Sequence, residues 1–278
     1  MAEKPANQHR GVVLRSEWIS RNMVRLVIGG DGLAGFATSG MSDHYVKLVF
    51  PREGVDYPEP FDVRTCRETM PRELWPRLRT YTVRAWDPDA RELTLDIVVH
   101  GDSGLAGPWA ARAEPGDEVV MLGPGGNYVP DPAAGWHLLV GDESALPAIA
   151  ASLEALGDGA VAHVLLEVDG PEDEQKLRTA CEARITWIHR RDRPVGEALV
   201  RAVRELEFPE GDVHAFVHGE AGFVKELRRH LRLERGIGMD RLSISGYWRT
   251  GVDDEGWRAV KPDWNRRVEA EEQAAVAS

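Results

Sequence analysis

Arg79-Thr80-Tyr81-Thr82-Val83-Arg84, followed after a short turn by Leu93-Thr94-Leu95-Asp96-Ile97-Val98-Val99-His100, is the stretch on which the fold of the first half depends. Successive side chains of an extended chain point to opposite faces, so Arg79 and Tyr81 share one face while Thr80 and Thr82 share the other. A guanidinium fork beside an aromatic surface suits a phosphate-bearing planar cofactor, because the fork donates two parallel hydrogen bonds to an anion. The same residues also fit an ordinary strand with one wet face, and the neighbouring segments have to decide.

Toward the N-terminus, residues 11–28 alternate polar and apolar side chains and break at Gly29-Gly30-Asp31-Gly32, which predicts two half-buried antiparallel strands. His44-Tyr45-Val46-Lys47-Leu48-Val49-Phe50 repeats the pattern and stops at Pro51. Residues 51–76 carry Pro51, Pro58, Pro60, Pro71 and Pro76 with little periodicity and predict an excursion over the surface. The two strands of the opening stretch meet at a turn, Trp86-Asp87-Pro88-Asp89-Ala90. Beyond them, Trp109-Ala110-Ala111-Arg112-Ala113 predicts one short helix, and Glu118-Val119-Val120-Met121-Leu122 a further strand closing at Gly123-Pro124-Gly125-Gly126. Many short strands with one late helix predict a small antiparallel Greek-key β-barrel.

The pattern changes near Pro130-Asp131-Pro132, where the domain boundary is expected: residues 1–130 form the barrel domain and 131–278 a second domain. Trp136-His137-Leu138-Leu139-Val140 is an unbroken apolar run, as in a strand buried on both faces. Helical composition follows over residues 145–156, then a strand at 160–168, a helix around 175–183, a strand at 185–189 and a helix over 195–205. A strand at 213–218, a helix over 223–233 and a strand at 242–248 complete the series, and residues 268–278 read as a last helix or a frayed tail. Alternating β and α units predict a doubly wound parallel sheet, an α/β nucleotide-binding type of domain.

Composition sets outer bounds. The 278 residues are enough for two cores, and 42% hydrophobic with 29% charged residues is globular usage. A net charge of -12 argues against general binding to nucleic acid or anionic membrane, both of which need a positive field. Cys66 and Cys181 have no zinc-site spacing and read as free thiols. Residues 1–10 lack a secretory pattern and no run is long enough for a membrane span, so a cytoplasmic protein is expected. No His, Asp and Glu set for a resident metal stands out, nor a Ser-His-Asp arrangement or a P-loop.

The order of motifs adds a resemblance. Arg79-Thr80-Tyr81-Thr82, Val98-Val99-His100-Gly101, Gly104-Leu105-Ala106-Gly107-Pro108-Trp109, Pro115-Gly116-Asp117, Gly123-Pro124-Gly125-Gly126, Gly141-Asp142-Glu143-Ser144, His218-Gly219-Glu220-Ala221 and Gly246-Tyr247-Trp248-Arg249-Thr250-Gly251 together resemble the siderophore-interacting proteins. These are flavin-dependent ferric-siderophore reductases related to ferredoxin-NADP reductases. The resemblance covers about residues 10–258. It implies a barrel that binds FAD and an α/β domain that binds NADH or NADPH, with reduced ferredoxin as another donor to consider. The implied substrate is a ferric siderophore, a small anionic chelate.

Carried over residue by residue, the resemblance implies Arg79 on the FAD phosphates, Tyr81 against the ring and Thr82 near its reactive edge. It implies Val98, Val99 and His100 beside the flavin, His100 through a ring nitrogen. Gly104, Gly107, Pro108 and Trp109 lead into a helix whose free N–H groups bind phosphate. Here Trp109 follows Pro108 directly, without the small residue and serine usual in the family, so that contact falls to backbone N–H groups. In the second domain, Asp142 and Ser144 are expected at the nicotinamide half, Ser144 capping the helix and donating to the ligand. Glu167 and Asp169 end the second strand there and favour a ribose diol over a 2′-phosphate, whereas Arg190, Arg191 and Arg193 offer charge for that phosphate. Trp248 is expected either beside the flavin or in the core. Lys47 and Arg249 match basic substrate positions. No protein acid or base is expected to be obligatory. A flavin reductase with another acceptor, or a non-catalytic siderophore-binding protein, are the competing readings.

Overall fold

The computed structural model describes residues 7–102 and 104–276, and the chain divides into two compact units after Asn127. The first is a closed antiparallel barrel of β1 (Gln8–Ser20), β2 (Met23–Gly29), β3 (Tyr45–Phe50), β4 (Arg77–Asp87), β5 (Glu92–Val98) and β6 (Glu118–Gly125), in the spatial order β1-β2-β5-β4-β3-β6. Period-two alternation decides which side chains go in. On β2, Val24, Leu26 and Ile28 are fully buried with Leu48, Leu93, Leu95, Ile97 and Met121. Each such Leu or Ile contributes about 1.5–3 kcal/mol of burial. Arg25, on the outer face, forks both nitrogens onto its cross-strand partner Asp96 at 2.7 Å, with Arg84 of β4 at 3.9 Å from the same carboxylate. The β4–β5 turn is held by Asp87, whose Oδ1 accepts from the N–H of Asp89 and Ala90.

The proline-rich excursion is more ordered than its sequence predicts. It contains α1 (Val63–Thr69), whose N-cap Asp62 accepts from the Thr65 N–H at 2.8 Å. Val63 of α1 packs with Val49, Leu78 and Leu122, and so covers part of the outer barrel face. The late helix, α2 (Ala106–Ala110), begins three residues earlier than expected.

The second unit is a parallel sheet in the order β11-β10-β7-β8-β9, built from β7 (Trp136–Gly141), β8 (Val161–Val168), β9 (Glu182–His189), β10 (Val213–Glu220) and β11 (Leu242–Trp248). Helix α3 (Leu146–Ala155) shares a core with Leu139, Val164, Leu166 and Phe216 on one face. Helices α4 (Glu197–Glu205) and α5 (Ala221–Arg229) pack with Leu138, Val140 and Val217 on the other. All residues of β7 and β10 are buried, as the unbroken apolar run requires.

Two expectations fail here. The helix around residues 175–183 does not form: after a 3-10 turn at Pro171–Asp173 the chain runs extended into β9. Exposure alternates residue by residue from 174 to 180, and Leu177 is the one large apolar residue in that run, so no helical stripe exists to hold a helix against the sheet. Conversely, the C-terminal region forms a long helix, α6 (Asp254–Val276), well before residue 268. Trp257 and Val268 are buried, and Glu272 accepts from Arg228 Nε at 2.7 Å and Arg232 Nε at 2.6 Å. Cys66 and Cys181 are buried free thiols, and among the described residues no helix is long and apolar enough to cross a membrane.

Candidate functional site

In the barrel, β4 pairs with β3 from Arg77↔Phe50 to Thr82↔Tyr45, but with β5 only from Val83↔Leu95 to Asp87↔Glu92. The β4 segment that carries the Arg-Thr-Tyr-Thr motif therefore lies beyond the β4–β5 ladder. Cross-strand partners share a face, so Arg77, Arg79 and Tyr81 lie with Phe50, Leu48 and Val46, whereas Thr80 and Thr82 lie with Lys47 and Tyr45. Tyr81 is half-buried against the barrel core. Arg79 donates from Nη1 to the Leu78 carbonyl at 3.0 Å. Arg77, which sequence reasoning missed, keeps a buried Nε without a hydrogen-bond partner on the same face. Its signal was legible as one more step of the same alternation.

Helix α2 joins this face to the end of β5. A Cβ on Gly107 would meet the Val98 carbonyl oxygen at 3.2 Å and the Val99 Cα at 3.5 Å, so the helix lies tightly against the strand end and a larger residue there would push them apart by a few tenths of an ångström. Two residues on, Trp109 makes an edge contact with Phe50, centroids 5.6 Å apart, and Phe50 is the cross-strand partner of Arg77. The structure thus brings Val98, Val99, His100, Gly107 and Trp109 together and ties them to the Arg77 end of β4. Val99 and Pro108 are buried, Val98 is half-buried and His100 is exposed. Gly101 and Gly104 take left-handed φ values of 57° and 84°, and a Cβ on either would meet nothing within 4 Å. Open backbone at Gly101 and at Gly104, a buried guanidinium nitrogen lacking an acceptor and a half-buried phenol form a donor set that fits a dinucleotide's phosphates and aromatic ring. Thr82 is buried on the opposite face, beside Tyr45.

In the α/β unit the strand order reverses between β7 and β10, and open α/β sheets bind ligands at the carboxyl ends of strands at such a point. Asp142 stands there, fully buried. Its Oδ1 accepts from Ser144 N at 2.9 Å and Ser144 Oγ at 2.5 Å, and its Oδ2 from Glu220 N and Trp248 Nε1, both at 2.8 Å. One carboxylate thereby fastens the ends of β7, β10 and β11. Burial, then the charge of Glu143, push the Asp142 carboxyl up to about 6 despite these bonds. Gly219 makes the approach feasible: at φ 139°, a Cβ would lie 2.6 Å from Asp142 Oδ2. Ser144 does not cap α3 as expected. The N-cap is Ala145 with no side-chain bond, because Asp142 has already taken the Ser144 hydroxyl.

A second cluster lies at the ends of β7, β8 and β9. Arg190 forks onto Glu143 at 2.9 and 3.1 Å, and stands 3.4 Å from Asp169 and 3.7 Å from Glu167. Glu167, fully buried, accepts from the Gly196 N–H at 2.8 Å through Oε1, while Oε2 has no hydrogen-bond partner. Burial pushes its carboxyl up. Further along β10, His218 stacks on Phe216 and meets Ser243 Oγ at 3.0 Å. Burial, then the nearby Lys261 charge, lower it to about 3, so the ring is neutral.

The basic residues expected at the substrate fall in different units. Lys47 sits on β3 opposite Thr80, its Nζ 5.9 Å from the Tyr45 ring centroid. Arg249 is exposed and lines a cavity of about 430 Å³ with Lys225, Thr250, Arg267 and Glu271.

Comparison with known proteins gives two family matches: the Siderophore-interacting FAD-binding domain over residues 12–128 and the Siderophore-interacting protein family over residues 134–251. A protein of Mycobacterium tuberculosis is 43% identical over 95% of this chain and 97% of its own. The ferric vibriobactin reductase of Vibrio cholerae is 34% identical over 88% of this chain and 90% of its own. The NADPH-dependent ferric-chelate reductase of Escherichia coli is 32% identical over 85% and 91%. Among solved structures, a siderophore utilization protein from T. fusca superposes with TM-score 0.78 at 37% identity, over 90% of this chain and 96% of that one. A ferredoxin reductase of carbazole 1,9a-dioxygenase shares the fold, with TM-score 0.63 at 14% identity over 89% and 71%.

Proposed function

The chain belongs to the siderophore-interacting protein family, and on that premise we propose that it is an FAD-dependent ferric-siderophore reductase drawing electrons from NADH or NADPH. FAD, when bound, supplies the conversion of a two-electron donor into one-electron deliveries that ferric iron requires. The observation that carries the reading is the β4 face, where Arg77, Arg79 and Tyr81 stand beside α2 and the end of β5 beyond the β4–β5 ladder. There Arg79 and Arg77 would hold phosphate oxygens, the open backbone at Gly101 and at Gly104 would support them with N–H groups, and Tyr81 would cover the ring. Residues 1–130 serve as the FAD domain and 131–278 as the NAD(P)H domain. In the latter, Asp142 fixes the turn against Trp248 and Glu220, so that a nicotinamide nucleotide meets a preset surface at the β7–β10 switch point.

The substrate is a ferric siderophore, drawn by local positive charge from Lys47 and Arg249 although the whole chain carries -12. Iron(II) binds hard oxygen donors more weakly than iron(III), so reduction frees the metal. A cytoplasmic location fits a protein that uses soluble nucleotide, and reduced ferredoxin is a second donor class for the same assay. The purified protein is expected to be yellow, to bleach anaerobically with NADH or NADPH, and to regain colour when a ferric chelate is added. A colourless protein that takes up no FAD would end the proposal. Faster reoxidation by acceptors without iron would turn it into a general flavin reductase.

A further inference from the structure

We propose that the α/β unit discriminates against NADPH and takes NADH, because carboxylates crowd the end of the second strand and Arg190, the cation that faces them, is already engaged. The inference rests on the reading of this unit as a pyridine-nucleotide domain. In such sheets the residue at the end of the second strand meets the adenosine ribose: a carboxylate accepts from the diol, whereas a 2′-phosphate needs an arginine with donors to give. Here the second strand, β8, ends in Glu167-Val168-Asp169, and the chain continues through Glu172, Asp173 and Glu174 before its first cation, Lys176.

Three arginines follow β9, and their placement decides the matter. Arg190 gives both terminal nitrogens to Glu143 and has Asp169 and Glu167 at 3.4 and 3.7 Å, so three carboxylates face one guanidinium. Arg193 donates to the backbone carbonyls of His189 and Arg190. Arg191 is exposed, at a left-handed φ of 53°, with Asp192 next in the chain. A 2′-phosphate carries close to two negative charges at neutral pH and would have to displace Glu143 from Arg190 inside this acidic surround. A ribose diol is neutral and donates. Asp169 keeps 44% of its side chain exposed, and Glu167 Oε2 is a buried acceptor without a donor, so the cluster accepts hydrogen bonds more readily than anions. Glu143 therefore acts as a positioning residue: it sets selectivity by holding Arg190.

The test is calorimetric titration of the FAD-loaded full chain with adenosine 5′-monophosphate and with adenosine 2′,5′-bisphosphate, alongside KM values for NADH and NADPH. The monophosphate is expected to bind at least tenfold more tightly, and NADH to show the lower KM by a similar factor. Equal or tighter binding of the bisphosphate overturns the inference. Asp169→Asn, at a part-exposed site that folding tolerates, and Glu143→Gln should each narrow the preference several-fold; an unchanged ratio in both variants also overturns it. Binding of neither nucleotide, by a protein that holds FAD and reduces a ferric chelate after dithionite treatment, overturns the inference together with the NAD(P)H half of the reading, and leaves the reductase half standing.

Discussion

Arginine at β4 and arginine at the end of β9 look alike in sequence, each a cation at one end of a strand close to a proline. Arg77 keeps a buried Nε without an acceptor and shares its face with Arg79 and Tyr81. Arg190 is clasped by Glu143, with Glu167 and Asp169 behind it. The difference teaches that an anion site is defined by donors not already answered by the protein, and that answering depends on residues brought in from distant strands. Glu143 is 47 positions away from Arg190 in the chain.

Removing each cation separates the two cases. Arg190→Ala leaves Glu143 and Glu167 buried without a counter-charge, and chemical denaturation should show a loss of about 3–5 kcal/mol. A loss under 1 kcal/mol would mean that Arg190 is not needed to neutralise the cluster.

The α/β site should also respond to pH through Asp142. Its folded-state value of about 6 lies above the ordinary 3.8, so from about pH 4 to 6 the folded protein keeps a proton that the unfolded chain has released. Stability from this group falls as pH rises through that window. His218 runs the other way: lowered from 6.5 to about 3, it makes stability rise with pH between those values, and the two slopes oppose one another from about pH 4 to 6. Asp142→Asn removes one slope. The variant's stability relative to wild type should climb by about 1.4 kcal/mol per pH unit across the window, about 3 kcal/mol in all. Urea melts at pH 4.5 and 5.5 that show a constant difference would refute this.

Arg79→Ala tests the barrel side. The FAD dissociation constant is expected to rise about 10- to 100-fold, or 1.4–2.8 kcal/mol, read from the flavin retained through gel filtration, with the unfolding midpoint little changed. The smallest effects belong to half-buried Lys47 and exposed Arg249. Lys47→Ala and Arg249→Ala should each raise KM for an anionic ferric chelate about three- to tenfold at unchanged flavin content. A parallel loss of flavin would make them structural.

What was legible in the sequence follows physical range. Strand alternation is local, so the barrel strands and the Arg-Thr-Tyr-Thr face could be read directly, as could the buried run of β7. The short-range capping signal at Ser144 misled, because Asp142 two residues earlier captures the same hydroxyl. The helix expected near residue 180 failed for want of an apolar stripe. Helix α6 was missed in part because Pro262 sits inside it and its anchors, Arg228 and Arg232, lie some 40 residues away. The neutralisation of Arg190 was likewise invisible, since it needs the ends of three strands in register.

The extended run between β8 and β9 carries one more consequence. Residues 174–180 replace a crossover helix with a ribbon that lacks the i→i−4 ladder, anchored by Leu177, by the Glu174–His189 bond at 2.7 Å and by Thr179 Oγ1 on the Leu153 carbonyl. In a hydrogen–deuterium exchange experiment its amides should be among the earliest in the sheet domain to take up solvent deuterium. Protection of this ribbon on adding dinucleotide would mark it as the part of the sheet that ligand binding orders.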